Sequence, residues 1–293
     1  MEKVKKALIK LYRFSNSWTG TIVIVLLAIF FFAQAFKIPS GSMKSTLLEG
    51  DHLIVKKFAY GIPVPHIPWL EVPVAPDFNG NGHLISGEGP KRGDVVVFRY
   101  PNEPKMHYVK RCVAIGGDGV MLRDKTLYIR PHEGEKYIRE NYDKDQLEEF
   151  GDELWVKDPY RKEHKGIQYD DYIRALGILP QETHSFGPIT VQEGRYFMMG
   201  DNRDHSADSR FWGSVSYEYI VGQPWFMYFS WESRSYDEVA NNGILQNDYA
   251  ALLAVCGDID YKSDKCKAKW EKERYKVRWD RIGLSLKGLE ELL

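Results

Sequence analysis

Three cysteines among 293 residues are too few to build a disulfide scaffold. Net charge is nearly absent as well. The 40 Lys and Arg against 41 Asp and Glu leave −1, and no long basic stripe with interleaved aromatics runs through the chain, so a nucleic-acid partner is excluded. Long apolar runs are scarce: one stretch, residues 18–36, approaches the thickness of a bilayer, which limits the chain to a single crossing. The length is enough for one large or two modest domains. Aromatics at 14% and many short β-branched runs favour a mainly β fold.

The apolar stretch follows a basic head, with Lys3, Lys5, Lys6, Lys10 and Arg13 against the single acid Glu2. As a helix rising ~1.5 Å per residue, residues 18–36 would reach about 28 Å, and Trp18 stands where an interfacial aromatic belongs. The basic head predicts a cytoplasmic N-terminus (1–17) and an extracytoplasmic remainder from residue 37. A cleavable leader is the competing reading, since an apolar centre from Ile22 leads into Ala33-Gln34-Ala35. Cleavage after Ala35 would leave Ser42 close to a free end, which favours a retained transmembrane anchor. Both readings put the bulk of the chain on the same side.

Beyond the anchor comes Pro39-Ser40-Gly41-Ser42-Met43-Lys44-Ser45-Thr46-Leu47. Proline fixes the direction of the chain, and Gly41 lets another backbone approach Ser42 closely. A turn at residues 49–51 leads into a strand. Residues 61–93 are rich in Pro and Gly and read as an irregular surface excursion with room for a hairpin. Its apolar members Ile62, Val64, Ile67, Trp69, Leu70 and Val72 either pack on the core or touch lipid. Residues 95–100 and 107–115 are predicted strands. In the second, period two puts Lys110 and Cys112 on one side and Arg111 and Val113 on the other. Lys110 then sits among Tyr, Val, Cys and Ile, either buried or snorkelling at a sheet edge. Residues 125–189 read as an inserted subdomain, with strands at 126–129 and 167–172 and no catalytic constellation.

Residues 195–200 form a strand that runs into Gly200-Asp201-Asn202-Arg203-Asp204-His205-Ser206-Ala207-Asp208-Ser209-Arg210, where carboxylates and arginines interleave as a paired network. A calcium loop at Asp204, Ser206 and Asp208 would lack the central Gly and closing Glu of that motif. Residues 221–231 are another strand. A polar insertion at 232–274 holds Cys256 and Cys266, expected to pair in an oxidising compartment, with Cys112 left as a small core residue. A last strand is expected at 275–284, and a frayed charged tail from Lys287.

A serine on a turn and a lysine on an apolar strand suggest a Ser-Lys hydrolase. The hydroxyl needs a base, and lysine serves only when neutral. At the ordinary pKa of ~10.4 only about 0.04% is neutral at pH 7. Lowering it to roughly 8 takes about 3 kcal/mol, which burial without an adjacent acid can supply. The Ser42 N–H and the Ser40 hydroxyl can converge as an oxyanion hole.

Ser40-Gly41-Ser42-Met43, Tyr108-Val109-Lys110-Arg111 and the run from Gly200 to Arg210 resemble, in order, the signature boxes of bacterial type I signal peptidases. Residues 50–55, 92–98 and 281–283 resemble that family's supporting strands. The resemblance covers roughly 18–60, 91–118, 190–231 and 275–285. It implies a β-sheet catalytic core (37–124, 190–231 and 275–285) anchored in the bacterial cytoplasmic membrane by one helix. It implies cleavage of signal peptides from exported preproteins after small residues of Ala-x-Ala type. Ser42 would be the nucleophile, Lys110 the general base and Ser40 part of the oxyanion hole. Ser206 would orient Lys110, and Asp201 with Arg111 and Asp208 with Arg210 would be structural ion pairs. No metal or cofactor is implied; the partners are preproteins, membrane lipid and a position near the secretion translocon. Ser45 departs from the family's usual proline before Thr46. Three alternatives stand beside this reading: a dedicated Ser-Lys peptidase for one pilus or conjugation precursor, a non-catalytic anchored assembly protein, and Cys112 as a thiol nucleophile.

Overall fold

A computed structural model describes residues 2–67, 72–169, 185–241, 252, 255–257, 259–260 and 262–293. The strands, in chain order, are β1 (Ala33–Lys37), β2 (Asp51–Lys56), β3 (Gly61–Pro63), β4 (His66–Ile67), β5 (Val72–Pro73), β6 (His83–Ser86), β7 (Val95–Tyr100) and β8 (Glu103–Ile115). Then follow β9 (Gly119–Arg123), β10 (Thr126–Arg130), β11 (Leu147–Phe150), β12 (Glu153–Lys157), β13 (Phe186–Thr190), β14 (Arg195–Met199), β15 (Val215–Ser216) and β16 (Ile220–Ser230). The mainly β expectation holds.

The principal sheet runs β1-β2-β16-β7-β8-β14-β15. In β2, Asp51, Leu53 and Val55 are buried while the residues between are half-exposed, as period two requires for a strand with one covered face. Strand β7 has no such alternation, because both its faces are covered. Val95 and Val97 join Met43, Leu47 and Leu53 on one side; Val96 and Phe98 join Cys112 and Met198 on the other. The β7–β8 register opposes Val96 to Lys110 and Val95 to Arg111. Cys112 is a fully buried core residue with a free thiol.

A second sheet, β11-β12-β10-β9-β13, begins at Gly119 rather than near 125. Val113 and Ala114 of β8 and Phe197 and Met199 of β14 share one apolar cluster with Val120, Leu122, Leu127 and Ile129 of this sheet. The expected strand at 167–172 is reduced to a single bridge between Gln168 and Asn202, and residues 170–172 lie outside the described residues. The excursion at 61–93 is two nested hairpins, β3 with β6 and β4 with β5. Val64 packs inward, whereas Ile67 and Val72 are exposed; Trp69 and Leu70 lie outside the described residues.

The helices are α1 (Glu2–Ser15), α2 (Trp18–Phe32), α3 (Glu135–Asn141), α4 (Ser209–Trp212), α5 (Tyr236–Asn241), α6 (Asp264–Glu273) and α7 (Leu286–Glu291). Three expectations change. The apolar helix stops at Phe32, because Ala33 to Lys37 are captured as β1 in register with Lys56 to His52. Among the described residues, no helix is long and apolar enough to cross a membrane. The strand expected at 275–284 is not formed. Single bridges, Trp231 to Val277 and Phe226 to Ser285, flank a 3₁₀ turn at Trp279–Arg281. There Arg281 turns inward onto Asp51, at 2.7 Å, instead of extending a ladder. The tail does not fray: α7 is capped by the Ser285 side chain, and its Leu289 is buried. In the 232–274 insertion, Cys256 and Cys266 are joined as expected, within a small cluster that includes Tyr236, Val239 and Trp270.

Because the two sheets share one apolar cluster, the residues from 37 onward in both sheets should unfold together. Truncating Phe197 to Ala should cost about 3–5 kcal/mol. In denaturant titrations the midpoint should fall while the sheets keep a single transition; a separate transition for the second sheet would show that the cluster does not couple them.

Candidate active site

Ser40 caps a single 3₁₀ turn, Gly41–Met43, in extended conformation (φ −139°, ψ 154°), and its side chain takes no part in the cap. Ser42 is half-buried on this turn. The turn is pinned from outside by Asn202. Its backbone N–H donates to the Ser42 carbonyl (3.1 Å), and its side-chain amide donates to the Gly41 carbonyl (3.0 Å). Met43 is buried beneath, 1% exposed, in the cluster holding Leu47 and Leu53. Gly200 makes the approach possible: a Cβ there would lie 2.5 Å from the Ser42 carbonyl oxygen and 2.2 Å from Ser206 Oγ.

Lys110 comes from the middle of β8 and is 4% exposed, so it is buried rather than snorkelling. Its Nζ lies 2.6 Å from Ser42 Oγ, 3.0 Å from the Val109 carbonyl and 5.1 Å from the centre of the Tyr108 ring. Burial lowers its pKa from the ordinary lysine value to about 8. Asp208 and Asp201 pull the other way and Arg210 assists burial, but desolvation dominates.

Both carboxylates are engaged elsewhere. Arg111 Nε and a terminal nitrogen donate to Asp201 at 2.8 and 2.7 Å. The Thr46 hydroxyl donates to the same carboxylate at 2.6 Å. Arg210 holds Asp208 in the same two-pronged way, both bonds at 2.8 Å. Burial alone would raise both carboxyls, yet the arginines hold each below the usual carboxylate range. Asp204 pairs with Lys125 at 2.9 Å, so Asp204 and Asp208 each face a cation of the chain itself. Ser206 is buried beside Asp208, and its hydroxyl helps to hold that carboxyl down. The expected bond from Ser206 to Lys110 is thus not made, since Lys110 Nζ is directed to Ser42 and Val109. The thiol of Cys112 is pushed up by complete burial, which removes it as a nucleophile.

Ser42 and Lys110 line a cleft of about 480 Å³ together with Phe36, Ile38, Ser40, Tyr108 and Val109. This arrangement suits acyl transfer: a hydroxyl lies 2.6 Å from an amine whose free form burial brings within reach near pH 8, beside a largely apolar cleft.

Several supporting residues were not singled out from sequence. Segment 160–169 of the insert braces the site: Gln168 N–H donates to the Asp201 carbonyl (2.9 Å), and Arg203 N–H donates to that of Gln168 (3.0 Å). Glu290, from α7, meets Arg111 at 2.9 Å and His164 Nδ1 at 2.9 Å. Polar residues scattered at 164, 168 and 290 carry no local pattern that marks them. Asn202 lay within a motif already noted.

A family model described as signal peptidase, peptidase S26, matches residues 11–229, well over half of the chain. Signal peptidase I of Helicobacter pylori is 44% identical over 308 aligned positions, covering 98% of this chain and 97% of that protein. Signal peptidase I of Pseudomonas aeruginosa is 33% identical, covering 82% of this chain and 80% of that one. The crystal structure of a signal peptidase I from Enterococcus faecalis aligns at 25% identity over 46% of this chain and 97% of that one, with a TM-score of 0.27, too low to compare the folds. These matches define a serine peptidase, a hydrolase. The chain belongs to the signal peptidase family, peptidase S26.

Ser45 gives the departure from the usual proline a physical reason. Its φ is +77°, which a proline ring fixed near −65° cannot adopt. Ser45→Pro should therefore break the turn after Ser42 and lose most activity, whereas Ser45→Gly, free at positive φ, should keep activity and melt no lower than wild type. Melting curves and cleavage rates of the two variants check this; a fully active proline variant would remove the constraint.

Proposed function

We propose that this chain is a membrane-bound Ser-Lys endopeptidase that cleaves N-terminal signal peptides from exported preproteins after small residues of Ala-x-Ala type. The observation that carries the reading is the 2.6 Å contact between Lys110 Nζ and Ser42 Oγ, in surroundings where each nearby carboxylate has its own arginine. Neutral Lys110 takes the hydroxyl proton as Ser42 Oγ attacks the scissile carbonyl. The oxyanion is received by the Ser42 N–H and the Ser40 hydroxyl. The Lys110 ammonium then gives its proton to the leaving amine, and the acyl group remains on Ser42. In the second half, Lys110 deprotonates a water that hydrolyses the ester. Ser206, buried across Gly200 from the serine turn and beside Asp208, offers Lys110 a second hydroxyl once Ser42 has moved onto substrate. The walls formed by Ile38, Tyr108 and Val109 favour small side chains by overlap.

The membrane part of the proposal rests on α2 and on what adjoins it. Phe32, at its end, meets Phe58 edge-on at 6.3 Å, and Phe58 meets Trp225 at the same distance; each ring is 47% exposed. Such a patch, continuous with an apolar helix, fits an interface with lipid.

With detergent-solubilised protein and an Ala-x-Ala precursor, Ser42→Ala and Lys110→Ala should each abolish cleavage with the fold intact. Near-normal activity in either variant would refute the dyad. The free amine is the working form, so the rate should rise as pH increases through about 8 and level off above it. A flat rate between roughly pH 6 and 9 would exclude Lys110 as the base. Ser40→Ala should lower the rate by about 10²–10³ with little change in substrate binding.

A further inference from the structure

The final helix lies beyond the family match, which ends at residue 229. It is six residues long, yet two adjacent side chains reach neighbours of both Ser42 and Lys110. Leu289, 1% exposed, packs in the cluster containing Met43 and Leu47, on either side of the turn that follows Ser42. Glu290 turns to the strand that carries Lys110 and accepts from Arg111 at 2.9 Å.

Arg111 is 1% exposed, and a buried guanidinium must have its donors satisfied. Nε and one terminal nitrogen bond Asp201, the other terminal nitrogen donates to the Gly93 carbonyl (2.7 Å), and the remaining direction meets Glu290. Glu290 is itself held by His164 Nδ1, at 2.9 and 3.0 Å from its two oxygens. The result is a chain of hydrogen-bonded side chains, Asp201–Arg111–Glu290–His164, that ties the loop of residues 200–210, β8, α7 and the insert together.

We propose that Glu290 is a positioning residue for the dyad: through Arg111 it fixes the seat of Lys110 in β8 and balances the charge behind it. This rests on the Ser42–Lys110 reading. Glu290 faces Arg111 and His164; Arg111 faces Asp201 and Glu290; Asp201 also faces Thr46 and Arg203; Lys110 faces Asp208, Asp201 and Arg210. Removing the Glu290 charge takes a negative charge from beside the Arg111–Asp201 pair, and the more positive local potential further disfavours the Lys110 ammonium.

The test uses the full chain in detergent with an Ala-x-Ala precursor, measuring kcat and KM across pH at a temperature where every variant is folded. Glu290→Gln should lower plateau kcat about tenfold with KM within about twofold, the pattern of lost alignment rather than lost binding. Its acid limb should move to lower pH. Glu290→Asp, which keeps the charge, should hold the limb at the wild-type position. Glu291→Gln, on the exposed neighbour, should behave as wild type. An acid limb that stays in place in Glu290→Gln overturns the proposal, whatever happens to the plateau, because a merely structural glutamate would alter melting and leave the profile unmoved. Lys110→Ala separates the two levels: if it stays active, the dyad reading fails; if it is dead while Glu290→Gln titrates as wild type, the inference about Glu290 alone fails.

Discussion

The structure turns on keeping one amine dry without giving it an acid. Lowering a lysine from 10.5 to about 8 corresponds to about 3 kcal/mol. A single uncommitted carboxylate about 5 Å away, at an effective dielectric near 20, would restore about 3 kcal/mol to the ammonium and cancel the effect. Asp201 and Asp208 both lie close enough to act on Lys110, so each needs a cation of its own. Arg111 and Arg210 supply it in two-pronged contacts. Within the run only Asp208 and Arg210 pair with each other; Asp201 draws on Arg111 and Asp204 on Lys125, which leaves a polar loop that pins backbone around the site yet stays electrically quiet towards Lys110.

The pinning follows from the same residues. Asp201 accepts from Thr46 and Arg111, while its neighbour Asn202 grips both carbonyls of the serine turn. One dipeptide therefore sets the Ser42 turn against the strand that carries Lys110. Gly200 can have no side chain because Ser206 and the Ser42 carbonyl already occupy that space. A buried pair such as Arg111–Asp201 adds little net stability, but losing one partner leaves an uncompensated charge at a cost of about 3–5 kcal/mol. Such a pair resists drift, which a Ser42–Lys110 contact held at 2.6 Å requires.

What could be read from sequence was chemistry carried by local types. Ser42 on a Gly-flanked turn and Lys110 in an apolar strand read as a plain loop and a snorkelling lysine when each is taken alone, and only together with the Asp/Arg run do they point to one chemistry. Elements whose state depends on distant partners could not be read this way. Residues 275–284 alternate like a strand, but only isolated bridges form, and Arg281 is drawn in by Asp51, 230 positions away. Residues 33–37 are apolar enough to continue a helix, and only pairing with 52–56 makes them a strand. Glu290 looks like one charge in a polar tail; its meaning lies in Arg111, 179 positions back. The insert showed no constellation because Gln168 acts through its backbone, which composition does not reveal.

The early end of α2 bears on how the proposed reaction meets the membrane. With no linker after Phe32, the chain enters β1 directly, and that strand spans about 17 Å at ~3.4 Å per residue. The serine turn follows within a few residues, so the height of the cleft above the end of the apolar helix is set by an element of the sheet and not by a flexible tether. A preprotein presents a similar geometry, an apolar segment followed closely by the peptide to be cut. An anchored enzyme of this build needs no search along the normal to the membrane. In the proposed anchored state the substrate's apolar segment and α2 would share one layer, and β1 would carry the chain from it towards Ser42 and Lys110. The exposed rings of Phe32, Phe58 and Trp225 stand at the foot of that strand, where they would resist tilting of the sheet relative to the lipid surface.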